Sequence, residues 1–281
     1  MRLPAAMLLV SLLGSAGGAL AAGAPGPPVS PEAALAASQA AIGTRVGEHE
    51  LIDTDGRRVS LAQFRGKPLL VSLIYTSCYH TCSVFTRYLK GVVLAAREAL
   101  GADAFAVITV GFDAGVDTPQ RMRIYAREQG VDLDGWFFLS ADQKTIDALT
   151  GELGFTYFAS PKGFDHLAQV TVLDADGRVH RQVYGDRFEM PALVEPLKAL
   201  VFRNDPFPSS VSAWMNNIRL FCTVYDAAAG RYRFDYSLLI GVVVGAACLL
   251  AIAVFVVHAW RRGSPGVGAR ERAGRDAPRG A

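Results

Sequence analysis

Two cysteines with three residues between them, Cys78 and Cys82, offer the clearest chemistry in this sequence. An apolar, strand-like run over residues 68–75 precedes the pair, and a helical pattern begins at Cys82. A helix N-terminus supplies partial positive charge and free N–H groups, which lower thiol pKa values and favour thiolate. If the helix begins at or before Cys78, the i, i+4 spacing places both sulfurs on one face.

Such a pair can bind a soft metal, exchange disulfides or form a structural disulfide. Thiolates select Cu(I), and imidazole is a good companion ligand. His80 lies between the cysteines and is expected to point away from them, whereas His166, in a loop before the next strand, could complete a Cys-Cys-His site across the fold. A structural disulfide would close a very small loop and therefore gain little entropy.

Strands alternate with helices through the central region, and a hairpin and helix follow. This order predicts an α/β sandwich with a central mixed sheet. Thr118 and Ser140 are the expected caps of two of the helices. We expect strands at 48–52, 58–61, 68–75, 105–110, 136–139, 168–173 and 179–184, and helices from 82, from 118, over 141–149 and over 190–200.

Two apolar segments flank this globular region. Residues 1–21 have a basic start, a short apolar centre and a small-x-small end, which is typical of a secretory signal peptide. Residues 236–260 carry no charge and are long enough to cross a membrane as a helix. Because Arg261 and Arg262 follow at once, the positive-inside rule places the tail in the cytoplasm.

The expected organisation therefore has one extracytoplasmic domain and one anchor. We expect a single-pass protein of the cell inner membrane whose soluble domain faces the periplasm. The parts are a signal peptide (1–21), a Gly/Pro-rich linker (22–41), the α/β domain (42–202), a juxtamembrane segment (203–235), a transmembrane helix (236–260) and a basic cytoplasmic tail (261–281). The juxtamembrane segment either lies along the membrane as a stalk or folds back on the domain.

Composition excludes several classes of protein. A net charge of +2 over 281 residues argues against nucleic-acid binding. Four cysteines are too few for a disulfide scaffold. Cys248 lies inside the apolar run, where it is expected to pack as a small hydrophobe, and Cys222 stands alone.

The sequence resembles the Sco (SenC-like) family of copper-binding proteins of respiratory membranes over about residues 47–200. Specificity comes from the order and spacing of several short motifs together. The matching stretches are Asp55-Gly56 with Val59-Ser60-Leu61 and Arg65-Gly66-Lys67-Pro68, Tyr75-Thr76-Ser77-Cys78 with Cys82, Asp113 with Asp117-Thr118-Pro119, and Asp165-His166 with Leu173-Asp174-Ala175-Asp176-Gly177.

This resemblance implies a thioredoxin-like fold and a copper site formed by Cys78, Cys82 and His166. It also implies a role in assembling the CuA site of cytochrome c oxidase, with the CuA-bearing subunit as partner. The chain departs from the family pattern at Ser83, where proline usually follows the second cysteine, and in its C-terminal rather than N-terminal anchor.

Three functions remain open at this point. A copper metallochaperone, which is not an enzyme, fits the resemblance. A thiol–disulfide reductase would use Cys78 and Cys82 to keep the copper-ligand cysteines of a client reduced. A peroxidase of the peroxiredoxin type would need an activating threonine and arginine, for which Thr76 and Arg87 are nearby.

Overall fold

The computed structural model describes residues 30–78, 80–161, 163–204, 223–226 and 231–262. The expected signal peptide, most of the expected cytoplasmic tail and Cys222 lie outside the described residues. The helices are α1 (Pro31–Ala40), α2 (Thr81–Leu100), α3 (Pro119–Glu128), α4 (Gln143–Glu152), α5 (Met190–Asn204) and α6 (Ser237–Arg262). The strands are β1 (Glu50–Asp53), β2 (Arg58–Ser60), β3 (Leu69–Ile74), β4 (Ala106–Gly111), β5 (Trp136–Ser140), β6 (Tyr157–Ser160), β7 (Gly163–His166), β8 (Gln169–Leu173), β9 (Val179–Tyr184), β10 (Thr223–Asp226) and β11 (Arg231–Phe234).

A seven-stranded sheet forms the centre of the domain, in the order β2-β1-β5-β4-β3-β8-β9. Strands β3, β4 and β5 run parallel to one another, and the remaining pairs are antiparallel. Every residue of β3 and β4 is buried, as expected for the central strands of a sheet covered on both faces. The mixed central sheet predicted from the sequence is confirmed.

The parallel pairing of β3 and β4 determines where the chemistry lies. Ile74 and Gly111 are the last pair of this ladder, so the two loops that follow begin side by side at one edge of the sheet. One of these loops carries Cys78. Helix α2 then packs back on the sheet through a buried stripe whose first members are Cys82, Phe85 and Leu89.

The prediction of a linker over residues 22–41 is wrong in its second half, because residues 31–40 form helix α1. The Ser30 side chain accepts a hydrogen bond from the Ala33 N–H, and Pro31 occupies the first turn. The buried Ser38 hydroxyl donates to Gln169 Oε1 over 2.9 Å, which ties α1 to β8. The domain therefore begins before residue 42.

Two further expectations need correction. Asp142, not Ser140, caps α4, since its carboxylate accepts from the Thr145 N–H at 2.8 Å while Ser140 ends β5. His166 does not lie in a loop: it is the last residue of β7, which pairs with β6 in a separate two-stranded sheet. These strands have four residues each, too short for a clear alternating pattern.

The described part of the juxtamembrane segment folds back on the domain. Strands β10 and β11 form a hairpin, and β11 packs against α2. Tyr232 is buried, and its hydroxyl donates to Glu195 of α5 over 3.1 Å. Helix α6 follows after Asp235 and Tyr236. Its residues Ile240–Arg262 are long and apolar enough to cross a membrane, with a mean hydropathy of 3.0 and no burial against the domain.

Candidate functional site

Cys78 lies in the turn between β3 and α2, not in the helix. Its N–H donates to the Tyr75 carbonyl at 3.1 Å, and the helix begins at Thr81. The condition for placing both sulfurs on one helical face is therefore not met. The two cysteines nevertheless meet, because the Cys82 N–H, one of the free donors of the first helical turn, points at Cys78 Sγ over 3.4 Å.

The two free thiols differ strongly in acidity. Hydrogen bonds from the Cys82 thiol and N–H, together with one from the Tyr75 hydroxyl, lower the pKa of Cys78 to about 4. The pKa of Cys82 is raised, first by that same thiol–thiol bond and then by burial, since its side chain is only 3% exposed. Cys78 is therefore the thiolate at neutral pH, and Cys82 is its protonated donor.

A buried carboxylate, Asp117, fixes the cysteine loop to the loop after β4. Its Oδ1 accepts from the Thr76 N–H at 2.8 Å and the Thr76 hydroxyl at 2.7 Å, and its Oδ2 accepts from the Asp113 N–H at 2.9 Å. Burial raises the pKa of this carboxyl. Asp117 also lies very close to Gly111. A Cβ atom added at residue 111 would be 2.4 Å from the Cβ of Asp117, so only glycine fits at this position.

Tyr75 connects the cysteine loop to the β6–β7 hairpin. Its hydroxyl accepts from the Phe164 N–H at 3.5 Å and lies close enough to Cys78 to help lower the pKa of that thiol. Its ring meets the His166 ring edge to face, with centroids 6.1 Å apart. Burial, and then the contact with Cys78, raise the pKa of Tyr75 to about 12, so the phenol stays protonated as a donor.

His166 is held in an aromatic surround. Its ring lies 5.6 Å from that of Phe112 and 5.4 Å from that of Phe155, centroid to centroid. Burial lowers its pKa, so the imidazole is neutral at pH 7. Nδ1 lies 3.2 Å from the Leu167 carbonyl oxygen, which assigns the proton to Nδ1 and leaves the lone pair on Nε2.

The structure brings Cys78 and Cys82 together, and Tyr75 is near Cys78 through its hydroxyl and in contact with His166 through its ring. Among the described residues, no three His, Cys, Asp or Glu side chains are close enough to hold one metal ion. His80 is exposed, as expected. A three-donor site at Cys78, Cys82 and His166 therefore needs a movement of one loop or of the hairpin.

The groups required for peroxidase chemistry have other partners. The Thr76 hydroxyl donates to Asp117, and Arg87 donates to Gln129 Oε1 over 2.8 Å. Cys248 lies on α6, far along the chain from the site.

Sequence reasoning missed the roles of two residues in this region. Tyr75 was visible only as the end of an apolar strand and the first residue of one matching stretch, and Asp117 only as part of another. An acidic residue directly before the Thr118-Pro119 helix start, in the loop after a buried strand, is the one local signal that could have pointed to Asp117. Its partner Thr76 is 41 residues away in sequence, so the contact is tertiary.

Comparison with known proteins identifies the family of this chain. The sequence profile of the SCO1/SenC family matches residues 38–201, more than half of the chain. No curated protein is similar enough to count as a match.

Similar solved structures include a protein from Aquifex aeolicus VF5 described as an electron transfer protein, with 29% identity, 57% of this chain and 94% of that chain covered, and a TM-score of 0.52. A SCO1/SenC family lipoprotein from Bacillus anthracis str. Ames shares 16% identity, with 56% and 95% covered and a TM-score of 0.51. ScoI of Bradyrhizobium japonicum, solved with copper bound, shares 24% identity, with 56% and 99% covered and a TM-score of 0.48.

The fold is thus the thioredoxin-like arrangement that the sequence resemblance implied. Both the extent of the matching profile and the mixed central sheet with its helices support this assignment. The chain belongs to the SCO1/SenC family.

Proposed function

We propose that this protein is a copper metallochaperone that binds copper through Cys78, Cys82 and His166 and assists assembly of the CuA site of cytochrome c oxidase. The observation that carries the proposal is the pairing of a thiolate with a neutral imidazole on either side of Tyr75. Two sulfurs and one imidazole nitrogen form a donor set suited to copper. Membership in the SCO1/SenC family supports the same cargo.

The residues of the site have separable tasks. Cys78 is already a thiolate and provides the first donor, whereas Cys82 is buried and gives up its proton as copper binds. His166 presents Nε2 because Leu167 holds Nδ1. Tyr75 contacts His166 through its ring and is near Cys78, so closing the site would bring the hairpin and the cysteine loop together around this tyrosine.

The C-terminal helix supports the location in this proposal. Arg261 and Arg262 end α6, and by the positive-inside rule these charges favour a cytoplasmic tail and a domain that faces the periplasm at the inner membrane. The CuA-bearing subunit of the oxidase is the partner that this location and the family favour.

Copper titration of the full chain in neutral detergent tests the proposal. We expect about one copper per chain and a thiolate-to-copper charge-transfer band, since this band reports sulfur ligation. The band should disappear in Cys78→Ser and Cys82→Ser and weaken or shift in His166→Ala. His80→Ala is the matched control, because His80 is exposed beside the cysteines, and it should keep the band. An unchanged band in His166→Ala would contradict the three-ligand site.

A second function, thiol–disulfide reductase, is favoured by the unequal acidity of the two thiols. A partly exposed, low-pKa thiolate beside a buried thiol is the arrangement that attacks a client disulfide and then resolves the mixed disulfide. His166 has no required part in this exchange. A His166→Ala variant that loses copper but reduces a client peptide at the wild-type rate would identify the reductase.

A further inference from the structure

An open groove begins one turn beyond the cysteine loop, along the exposed side of α2. Val84, Arg87 and Tyr88 of α2 form one wall, and Arg187, from the loop after β9, forms the other. The groove has a volume of about 430 Å³. The Val84 N–H donates to the His80 carbonyl at 3.1 Å, so the start of the groove is tied to the segment between the two cysteines.

The lining of this groove is basic with an apolar floor. Arg87 is oriented by its bond to Gln129, and Arg187 is exposed. Among the described residues, no carboxylate forms an ion pair with either guanidinium. Tyr88 is fixed by its hydroxyl bond to the Phe188 carbonyl and by an edge-to-face contact with the Phe188 ring at 5.2 Å. Glu189 is the acidic residue nearest to this tyrosine along the loop.

The groove also lies close to the hairpin that leads into the membrane helix. Tyr225 of β10 is near enough to Tyr88 to help raise its pKa, after burial and Glu189, and β11 packs on α2. Between the end of β11 and the start of α6 there are two residues, Asp235 and Tyr236. The Asp235 carboxylate accepts from the Ser237 N–H at 2.9 Å and so begins the helix. So short a connection keeps the groove near the membrane surface.

We propose that this groove docks an acidic segment of the membrane-bound protein that receives copper from Cys78 and Cys82. This inference rests on the proposed function and adds the chemistry of the partner to it. Arginine binds carboxylates through paired N–H donors, and the apolar floor accepts the aliphatic parts of the same segment. Two guanidinium groups beside the cysteine loop, neither of them in an ion pair with a described carboxylate, would direct such a partner to the copper site.

Binding of an acidic peptide to the full chain in neutral detergent tests the docking surface. The probe is a fluorescein-labelled peptide of alternating glutamate and alanine, followed by fluorescence anisotropy. The variant is Arg87→Gln with Arg187→Glu, in which glutamine keeps a donor for Gln129. We expect a loss of affinity of roughly tenfold, from two partly exposed ion pairs. The control, Arg121→Gln with Arg127→Glu, makes the same charge change on exposed residues of α3.

The outcomes separate the groove from the copper site. An equal loss of peptide affinity in the control variant would show that net charge alone causes the loss, and it would overturn the proposal. Wild-type affinity in the Arg87/Arg187 variant would also overturn it. Displacement of the peptide by phosphatidylglycerol in mixed micelles, through the same two arginines, would make the groove a lipid site and also overturn it. Copper titration of each variant is read in parallel. If the chain binds the peptide through the two arginines but binds no copper, the proposed function is refuted and the docking surface is not.

Discussion

The cysteine loop and the β6–β7 hairpin, the two sides of the candidate site, are held by different kinds of interaction. On the cysteine side, Asp117 accepts three hydrogen bonds from two loops, which fixes the backbone before Cys78. On the histidine side, a separate two-stranded sheet meets the domain mainly through ring contacts, such as that of Phe164 with Tyr75 at 5.2 Å. Its hydrogen bonds to the domain include a long one between neutral groups, from the Phe164 N–H to the Tyr75 hydroxyl at 3.5 Å.

Breaking a hydrogen bond to a buried charged group costs more than separating one aromatic pair, which contributes only about 0.5–1.5 kcal/mol beyond its buried area. From this difference we expect the hairpin to be the part that moves if copper draws the three proposed donors together.

Removing the buried carboxylate of Asp117 should change the stability of the domain more than the other substitutions proposed below. Asp117→Ala leaves the Thr76 and Asp113 N–H groups without an acceptor, so we expect a loss of about 2–4 kcal/mol of unfolding free energy, measured by denaturant unfolding of the full chain. Asp117→Asn can still accept from Thr76 and should lose about 1 kcal/mol. Asp113→Ala is the control, because only its backbone takes part. Equal stability of all three variants would show that the carboxylate does not hold the cysteine loop.

A smaller and more local effect is expected on the histidine side. Phe164→Ala removes ring contacts with Tyr75 and Phe112, so amide exchange in the hairpin should become about tenfold faster. Amides of β3 and α2 should keep their rates. Phe137→Ala, which removes an aromatic pair on β5, is the control and should leave the hairpin unchanged. Faster exchange throughout the domain would mean that the hairpin is not a separate unit.

The smallest effect is expected from substitutions at Cys82, which test whether its thiol lowers the pKa of Cys78. The alkylation rate of Cys78, followed at that residue by peptide mass spectrometry, should stay constant from pH 8 to pH 5 and fall as pH drops through about 4. The rate falls at low pH because only the thiolate is alkylated, and a lowered pKa keeps Cys78 as thiolate until the pH falls below that pKa. Cys82→Ala removes the donor thiol and should move the midpoint upward, whereas Cys82→Ser keeps a donor and should move it less. A midpoint that is the same in Cys82→Ala would refute the thiol–thiol hydrogen bond.

The sequence predicted the parts of this molecule that depend on local pattern. The apolar runs of β3 and β4 and the three- and four-residue spacing in α2 were sufficient to place the central elements. Helix α1 was missed because the glycines and prolines before it outweighed Ser30 and Pro31, which together are a helix start signal. The short β6 and β7 gave no periodic signal.

The candidate site depended on contacts that no local pattern contains. Both cysteines were evident from their spacing, but the position of Cys78 outside α2 follows from where the helix begins. The placement of Tyr75 between Cys78 and His166 joins residues about 90 apart in sequence. The folded-back β10–β11 hairpin resolved an alternative that composition left open.

X-ray absorption at the copper edge of the copper-loaded full chain tests the central claim most directly, since it identifies the atoms bound to copper. We predict two sulfur ligands and one imidazole, with loss of the imidazole signal in His166→Ala and its retention in His80→Ala. A wild-type spectrum with sulfur ligands and no imidazole, or an imidazole signal that survives in His166→Ala, would contradict a copper site shared by the cysteine loop and the hairpin.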